Sequence, residues 1–412
     1  MACRSPGSRK GRGLREPVRL RAESLAFGGD AVARDADGRV VLVPLVAPGD
    51  LALVKLTEEK KGFARGELVR VLEPGPARVV PPCPLFGRCG GCQWQHVDYP
   101  AQVAAKGEVV ARALRAEVAR GAVLEPPLAA PAPYGYRRRA RLAVRPGGVM
   151  GFRARRSHEV VDVAACPALE PVLERALAAL RAGLGPLLAR ACTLHLGLEA
   201  DGVHAALDVP AEGARAAAEA LVAAGALAGV AFSDGLVGSR GAADEFAQAQ
   251  EAQNQVLCAR VAEWARPAGA RVLELYAGAG NLTEALLAAG AAEVLAVEEA
   301  GPAVERARAR LGAAPVRFET ARAEDAAARA GDFDVVVLDP PRTGALEVAR
   351  ALTDVAGPAR IVYVSCDPMT LARDIAVLTA GAWRLERAQA IDMMPQTFHV
   401  ETVALLTRAV GV

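Results

Sequence analysis

The pattern of apolar and polar positions changes along the chain and indicates three regions. In residues 16–73, short segments such as VRLRAESLA, AVARDADGRVVLVPLV and FARGELVRVLE alternate apolar and polar positions, and glycine-containing turns separate them. Alternation of this kind, with turn signals about every 8–12 residues, is typical of a small β-barrel. We therefore predict a barrel over residues 16–74.

The C-terminal part of the chain has a different rhythm. From residue 246 onward, apolar strands with the sequences VLELYA, VLAVEE, VVVLDPP and IVYVSCDP alternate with helical segments rich in Ala, Leu and Arg. This alternation predicts a mostly parallel sheet with helices on both faces, a Rossmann-like α/β domain over residues 246–412. Residues 75–245 begin with a Pro-, Gly- and Cys-rich loop, continue with a helix over 101–120, and are predicted to form an α+β central lobe.

Composition narrows the class of protein. Of the 412 residues, 52% are hydrophobic and 23% are charged, which excludes a disordered or fibrous chain. We find no run of ~18 uncharged apolar residues that would span a membrane. The N-terminus lacks the apolar segment of a secretory signal, and residues 1–15 are expected to form a flexible basic tail. Reduced cysteines and a cytoplasmic location are therefore expected.

The net charge of +2 is uninformative, but one stretch is strongly basic. Residues 134–156 contain eight arginines, three aromatic residues and no acid. The alternation of Arg139 with Arg141, and of Arg153 with Arg155, places each pair on one face of a strand. Such a face binds phosphates and gives affinity for nucleic acid without sequence choice.

A glycine-containing loop follows the first apolar strand of the C-terminal domain. Gly278 and Gly280 come directly after residues 271–276, where glycines let a backbone approach a ligand. Glu298 ends the next apolar strand, and an acid there can accept hydrogen bonds from ribose hydroxyls. No P-loop lysine follows, which disfavours phosphoryl transfer. This pattern resembles the class I methyltransferases that use S-adenosylmethionine.

Three further candidates lie at strand ends. Asp339 follows an apolar strand in VVVLDPPRTG, and Cys366 follows the next one in IVYVSCDP. A cysteine at the edge of a strand has the access that a nucleophile requires. Glu401 precedes the last apolar strand, and His399 shares its face by alternation. The aromatic residue of the amino-methyltransferase motif (D/N)PP(Y/F) is replaced by Arg342, so the stacking partner of that motif is missing.

These segments together resemble the RNA uracil C5-methyltransferase family. DPPRTGA, YVSCDPMTLARD and PQTFHVETVALL match its signature segments, and FAQAQEAQNQ at residues 246–255 is similar to the segment that precedes its cofactor loop. The resemblance implies methyl transfer from S-adenosylmethionine to C5 of a uridine. It assigns the nucleophile to Cys366, which adds to C6, and the general base to Glu401.

The same resemblance implies the contacts to S-adenosylmethionine. The implied contact residues are Gln248, Tyr276, Gly278, Gly280, Asn281, Glu298 and Asp339. Gln250 stands where the family usually has asparagine, and Tyr276 where it often has phenylalanine. Arg322 falls near a position that many members fill with Asp or Asn, so no contact is assigned to it.

The eight cysteines include a compact group. Cys83, Cys89 and Cys92 lie in one loop with spacings of five and two residues, and Cys166 is the best candidate for a fourth ligand. From spacing alone, zinc and an iron–sulfur cluster both stay open. Cys3, Cys192 and Cys258 are expected to be an inert tail residue and two core residues.

The resemblance favours iron over zinc. PPCPLFGRCGGCQWQH and SHEVVDVAACPAL look like the iron–sulfur segment of the ribosomal RNA branch of the family, which implies a [4Fe–4S] cluster on all four cysteines. The chemistry at uracil needs no electron transfer, so a structural or RNA-positioning role is the simpler one for the cluster.

The barrel and the cysteine cluster indicate which RNA is the substrate. Residues 16–73 resemble a TRAM domain, a barrel of OB type that binds RNA. The transfer RNA branch of the family typically lacks both this barrel and the cysteine cluster. We therefore predict 23S ribosomal RNA as the partner, with transfer RNA as the alternative, and neither a membrane nor an obligate protein partner.

Alternatives from other classes are weaker. An RNA cytosine C5-methyltransferase uses two cysteines on adjacent motifs, whereas only Cys366 is placed here. A radical S-adenosylmethionine enzyme has a C-x3-C-x2-C spacing, which the five-residue spacing after Cys83 does not match. An RNA-binding iron–sulfur protein without catalysis leaves Cys366 and Glu401 unexplained.

Overall fold

The computed structural model describes residues 16–244 and 248–409, and the chain divides into two compact units. The first unit contains the chain up to Pro81 together with Gln93–Asp98. Its strands are Val18–Leu25 (β1), Ala31–Arg34 (β2), Val40–Val43 (β3), Leu51–Glu59 (β4) and Phe63–Glu73 (β5). They close into a barrel in the order β1-β2-β3-β5-β4, which confirms the predicted barrel. The predicted basic tail at residues 1–15 lies outside the described residues.

The strand alternation of the barrel places apolar side chains inside it. Leu20, Ala22 and Leu25 of β1 are buried, while most of the residues between them are partly or fully exposed. Behind the barrel, the buried carboxylate of Asp50 accepts hydrogen bonds from the guanidinium of Arg78, the shortest of them 2.6 Å long. This contact holds the segment that follows β5 against the turn before β4.

The second unit contains Pro82–Cys92 and the chain from Tyr99 onward. Its first elements are Tyr99–Ala113 (α1), Arg115–Ala119 (α2) and Val123–Leu128 (β6). A single helix was predicted over 101–120, but the helix breaks at Leu114, whose φ of −93° and ψ of 16° leave the helical region.

An α+β layer follows in the second unit. Its elements are Arg139–Arg145 (β7), Val149–Arg153 (β8), Val160–Asp162 (β9), Pro171–Gly183 (α3), Cys192–Glu199 (β10), Gly202–Leu207 (β11), Arg215–Ala223 (α4), Gly229–Phe232 (β12) and Gly235–Gly238 (β13). Within the described residues, the strands form one sheet in the order β13-β12-β11-β10-β7-β8-β9. Leu142 of β7, Leu194 of β10 and Leu177 of α3 lie in its buried core.

The C-terminal elements alternate between helix and strand. They are Glu251–Ala265 (α5), Arg271–Leu275 (β14), Asn281–Ala288 (α6), Glu293–Glu298 (β15), Gly301–Leu311 (α7), Val316–Thr320 (β16), Ala323–Ala327 (α8), Val335–Leu338 (β17), Leu346–Leu352 (α9), Arg360–Ser365 (β18), Pro368–Leu378 (α10), Trp383–Ile391 (β19) and Glu401–Arg408 (β20). In the described residues, their sheet has the order β16-β15-β14-β17-β18-β20-β19-β6. Strands β14 to β18 are mutually parallel, and β20 runs antiparallel between β18 and β19.

One strand of this sheet comes from outside the predicted domain. β6 pairs with β19 in parallel register, so Val123 lies beside Arg387 and Leu124 beside Ala388. The predicted boundary at residue 246 therefore does not separate β6 from the C-terminal sheet. The other predicted domain boundaries stay a prediction.

The sheet topology determines where candidate residues can meet. Parallel strands bring their carboxyl ends to one edge of a sheet, where open α/β folds bind ligands. The antiparallel strand β20 begins at that same edge. No helix among the described residues is both long and apolar enough to cross a membrane.

Candidate active site

The register of two strands places the predicted nucleophile beside the predicted base. β18 and β20 pair from Arg360 opposite Thr407 to Ser365 opposite Thr402. One further step in the same register sets Cys366 opposite Glu401. Directly opposed residues of antiparallel strands have Cα atoms about 4.5–5.5 Å apart. Two residues separated by 35 positions in the sequence thus become neighbours.

Electrostatic interactions confirm that these groups are close to one another. Burial, together with the charges of Glu401 and Asp339, raises the pKa of the Cys366 thiol to about 11. Burial and the charge of Asp339 likewise raise the pKa of Glu401 well above its usual value. Arg342 opposes both shifts, since its charge lowers the pKa of Cys366 and that of Glu401. Arg342 is therefore a cation at the site. From the sequence, it was noted only as the residue that replaces the aromatic one of the motif.

A buried carboxylate holds the loop that carries Asp339 and Arg342. Asp374 of α10 accepts hydrogen bonds from Ala345 N at 2.7 Å and from the Tyr363 hydroxyl at 2.8 Å. Gly344 has a φ of +74°, and a Cβ atom there would lie 2.5 Å from Asp374 Oδ2. Only glycine fits this close approach, which explains the glycine of the DPPRTG sequence.

Cys366 itself precedes a capped helix. The Asp367 side chain accepts hydrogen bonds from the backbone N–H groups of Met369 and Thr370, and Pro368 occupies the first turn of α10. These contacts form an N-cap, so α10 begins directly after the cysteine. The Ser365 hydroxyl donates to Asp367 O at 3.0 Å and tightens the same turn.

The glycine loop after β14 has the conformation that a ligand site requires. Tyr276, Gly278 and Gly280 all have positive φ angles, of 63°, 55° and 83°. A Cβ atom on Gly278 would meet nothing within 4 Å, so open space adjoins its backbone. A Cβ atom on Gly280 would lie 3.2 Å from Leu311 of α7. Gly278 thus leaves room for a ligand, whereas Gly280 allows close helix packing.

Glu298 connects the glycine loop to the end of β15. Its carboxylate accepts hydrogen bonds from Gly278 N at 2.9 Å and from Ala300 N at 2.8 Å. A carboxylate has about four acceptor positions, so two hydroxyl groups can still donate to it. The predicted ribose contact is compatible with this geometry.

The remaining predicted cofactor residues lie around the start of α5. The Asn281 carboxamide forms a reciprocal pair with that of Asn254, with N–O distances of 2.8 and 2.9 Å. Gln248 is half-buried and follows three residues that are not described. Gln250 is buried at the N-cap of α5, and its Oε1 atom has no hydrogen-bond partner among the described residues.

A buried acid on β14 was missed by the sequence analysis. Glu274 is 2% exposed and accepts a 2.6 Å hydrogen bond from the Thr283 hydroxyl. Burial, together with the charge of Asp339, raises its pKa to about 8. The glutamate within the apolar sequence VLELY was the available signal.

His399 lies near the site, but its imidazole does not carry the proton that an acid would donate at neutral pH. Burial lowers its pKa to about 4, with contributions from the charges of Arg342, Lys106 and Arg137. The Phe398 ring lies 4.2 Å from its ring, centroid to centroid. The imidazole is therefore neutral at neutral pH.

The structure brings the predicted cluster cysteines into one neighbourhood. The pKa of Cys89 is raised by burial and by the charges of Cys166 and Cys83. Cys83 and Cys92 both raise the pKa of Tyr134. Backbone N–H groups point at two of the thiols: Gly91 N donates to Cys89 Sγ at 3.4 Å, and the backbone after Cys166 donates to its sulfur. Such donors stabilise thiolates, which suits metal ligation.

Metal binding by these cysteines nevertheless stays a prediction. Among the described residues, the group with ligand atoms within 4.8 Å of one another is Glu199, Asp201 and His204, beside the β10–β11 turn. Contacts within the fold account for this group, since His204 Nε2 lies 2.8 Å from Asp201 Oδ1 and Glu199 Oε1 accepts from Ala242 N at 2.7 Å.

The other cysteines behave as expected where they are described. Cys192 begins β10 and packs against the core of the α+β layer, and Cys258 of α5 packs against the core of the C-terminal sheet. Cys3 lies outside the described residues.

The arginine-rich stretch is only partly available to a partner. On β7, Arg141 and Arg145 are exposed on the face opposite the buried Leu142. Arg138, in contrast, pairs with Glu251 at 2.9 Å, and Arg139 donates to Ala242 O at 2.6 Å. Several arginines of this stretch thus stabilise the fold, and the cationic surface is smaller than the sequence predicted.

Matches to protein families cover the barrel and most of the C-terminal domain. The family described as tRNA (Uracil-5-)-methyltransferase matches residues 313–409, and a general methyltransferase domain matches residues 272–353. The TRAM domain family matches residues 12–69, the region of the barrel.

Similar proteins cover nearly the whole chain. The 23S rRNA (uracil(1939)-C(5))-methyltransferase RlmD of Pectobacterium atrosepticum is 38% identical, over 93% of this chain and 92% of its own. The protein of the same name from Chromohalobacter salexigens is 35% identical, over 94% of this chain and 89% of its own.

A solved structure shares the fold. It is the Pyrococcus abyssi tRNA (uracil-54, C5)-methyltransferase in complex with S-adenosyl-L-homocysteine, with a TM-score of 0.74 and 24% identity over 94% of this chain and 99% of that chain. At this identity the likeness establishes the fold alone. The extent and identity of the curated relatives establish the rest: the chain belongs to the family of RNA uracil C5-methyltransferases.

Proposed function

We propose that this protein transfers a methyl group from S-adenosylmethionine to C5 of a uridine in 23S ribosomal RNA. The observation that supports the proposal is the register of β18 and β20, which pairs Ser365 with Thr402 and so brings the adjacent Cys366 and Glu401 close together. Both lie at the sheet edge where Asp339 and the glycine loop end. A nucleophile, a base and a cofactor loop at one edge are what C5 methylation of uracil needs.

The residues at this edge fit S-adenosylmethionine as the methyl donor. Glu298 would accept the ribose hydroxyls, and the open backbone at Gly278 would adjoin the cofactor. The further proposed contacts are Gln248, Tyr276, Gly280, Asn281 and Asp339. When bound, the sulfonium supplies an electrophilic methyl group.

The order of bond changes follows from the weak nucleophilicity of C5. The Cys366 thiolate adds to C6, and the electrons of the C5–C6 bond move into the carbonyl at C4 to form an enolate. The enolate attacks the methyl group through C5 and releases the neutral thioether. Glu401 removes the remaining C5 proton, the double bond reforms, and the C6–S bond breaks. Cys366 returns as a thiolate, and the enzyme is regenerated when Glu401 releases the proton to water.

Protonation states set a requirement for this sequence. Burial disfavours the thiolate form of Cys366 and the carboxylate form of Glu401, because it raises the pKa of each group. The charge of Arg342 acts in the opposite direction on both groups. We therefore assign Arg342 to the stabilisation of the thiolate and of the negative charge that develops on the uracil ring.

RNA binding is proposed to involve both units. In the barrel, Phe63 has the cations of Lys60 and Arg65 within 6 Å of its ring centroid, at 5.4 and 5.8 Å, and such surfaces bind single strands. In the second unit, the exposed Arg141 and Arg145 would contact phosphates. The target uridine has to leave its stack to reach Cys366, so an unpaired loop is the expected substrate.

The choice of 23S rRNA over transfer RNA rests on the curated relatives and on the barrel. We expect purified protein and labelled S-adenosylmethionine to label a 23S rRNA transcript, and mass spectrometry to find 5-methyluridine at one or a few positions. Labelling of transfer RNA alone would favour the alternative substrate. Binding of RNA without any methyl transfer would favour the non-catalytic alternative. A cytoplasmic location suits all of these substrates.

We also propose a [4Fe–4S] cluster on Cys83, Cys89, Cys92 and Cys166. The convergence of the thiols and their backbone donors supports it. Protein purified without oxygen is expected to contain about four irons per chain, the content of one such cluster. Cys166→Ser should lower the iron content, whereas Cys192→Ser, outside this group, should not. Stoichiometric zinc in the wild type would contradict the proposal.

A further inference from the structure

The loop between β19 and β20 leads directly into the proposed base. Its closing pair is Ile391 opposite Glu401, and Asp392 is the next residue after Ile391. The backbone of Asp392 is held on both sides. Its N–H donates to Leu128 O at 2.9 Å, and its carbonyl accepts from Gln253 Nε2 at 3.0 Å. The position of Asp392 therefore bears on the position of Glu401.

The Asp392 side chain is held by α1. Lys106 Nζ donates to Asp392 Oδ1 at 2.5 Å, and the Tyr99 hydroxyl donates to Oδ2 at 3.0 Å. Lys106 Nζ also donates to Met394 O at 3.1 Å, in the same loop. The side chains of Lys106 and Asp392 are each 1% exposed. This is a fully buried ion pair between the second unit's first helix and the loop before Glu401.

A second contact from α1 holds the loop farther along. Gln102 Nε2 donates to Gln396 Oε1 at 2.9 Å, and Gln396 N donates to Gln102 Oε1 at 2.9 Å. Gln396 has a φ of +68°, a conformation that requires support from its surroundings. Helix α1 thus contacts the loop at Asp392, Met394 and Gln396.

The position of Lys106 in the sequence is unusual. The buried residues of α1 are Gln102, Ala105, Lys106, Val109 and Val110. They follow the spacing of the core-facing side of a helix, so two polar side chains lie on an otherwise apolar stripe. A buried ion pair is weak evidence for stability, because desolvation of the charges offsets much of their attraction. A role in fixing geometry explains the pair better.

We propose that Lys106 and Asp392 are positioning residues that hold the β19–β20 loop so that Glu401 can reach the C5 proton. This inference rests on the proposed function, because it concerns the deprotonation step of that reaction. Lys106 acts through the loop and does not touch the substrate. Its loss should therefore affect proton removal more than addition of Cys366 or methyl transfer.

The test compares uridine with 5-fluorouridine in the same RNA. Fluorine replaces the C5 proton and cannot be removed as a cation, so the adduct of Cys366 persists after methyl transfer without any action of Glu401. For Lys106→Met, we expect kcat on the uridine RNA to fall about 100-fold with KM little changed, the scale of a misplaced general base. The rate of adduct formation with the fluorouridine RNA should stay close to the wild-type rate.

Each outcome decides something. Equal loss of both rates, or no loss of either, would overturn the positioning role. If the wild-type protein itself methylates no uridine, the proposed function fails, and this result is separate from the behaviour of the variant. If Lys106→Met does not fold because the Asp392 charge is left unpaired, the double variant Lys106→Met with Asp392→Asn removes both charges and must show the same split between the two rates.

A matched control separates positioning from stability. Leu177 is fully buried in the core of the α+β layer, and the loop contacts described above do not involve it. Leu177→Ala should lower the temperature of unfolding while leaving the ratio of the two rates unchanged at a temperature where the protein is folded. A split in this control like that of Lys106→Met would count against the proposal.

Discussion

Replacing Cys366 with alanine is expected to abolish methylation of uridine while RNA binding survives. Alanine fills the same position after β18 but has no sulfur to add to C6, so C5 is not activated. A loss of about 10⁴-fold or more, equal to about 5 kcal/mol of transition-state stabilisation, is expected in single-turnover rate. The measurement is transfer of labelled methyl to the RNA, with RNA affinity measured in parallel.

Cys192 supplies the control for this variant. It lies at the start of β10, packed against the core of the α+β layer, and the proposed mechanism does not use it. Cys192→Ala should retain methylation under the same conditions. Residual turnover by Cys366→Ala, beyond the level of a mock reaction, would exclude covalent catalysis by this residue.

Replacing Glu401 with glutamine should stop the reaction one step later. Glutamine has nearly the same shape but cannot accept the C5 proton, so the methylated uridine stays bonded to Cys366 through C6. Turnover should fall by about 10²–10⁴-fold, the usual contribution of a general base. A denaturing gel should then show an RNA–protein band that carries the labelled methyl group.

The control for this variant is a carboxylate away from the site. Glu305 lies on α7 with 70% of its side chain exposed and pairs with Arg308. Glu305→Gln should turn over like the wild type and show no covalent band. If Glu401→Gln loses turnover without accumulating the band, the base assignment is wrong, and Glu401 acts before methyl transfer.

Much of the architecture could be predicted from the sequence, because local patterns specify it. The strands β17 and β18 are mostly apolar and rich in β-branched residues, whereas the barrel strands alternate apolar and polar residues. The candidate residues could also be selected, because Asp339 and Cys366 stand at strand ends followed by proline. These signals are local in the chain.

The pairings that complete the site are not local, and the sequence does not contain them in readable form. The neighbourhood of Cys366 and Glu401 depends on β20 inserting antiparallel beside β18, a choice of strand order. The membership of β6 in the C-terminal sheet depends on an edge that β19 leaves open. Neither choice follows from hydrophobic periodicity.

Buried polar groups were the other class of residue that pattern reading missed. Lys106 and Glu274 lie among apolar residues, and each has a hydrogen-bond partner on another segment, Asp392 for Lys106 and Thr283 for Glu274. For the arginines, the sequence predicted too many groups free to bind phosphates. Arg138 and Arg139 look available in the sequence, but they bond to Glu251 and to the backbone of Ala242. Charge in a sequence shows which groups need partners, and the fold decides which partners they find.

The central claim is that Cys366 forms a covalent bond with the uridine during methylation. The most direct test is mass spectrometry of the peptide that contains Cys366, after Glu401→Gln has reacted with 23S rRNA and S-adenosylmethionine and both nuclease and protease have been applied. We expect a methylated, saturated uridine nucleotide on Cys366. A methylated RNA with no modified peptide, or a nucleotide on a different residue, would contradict it.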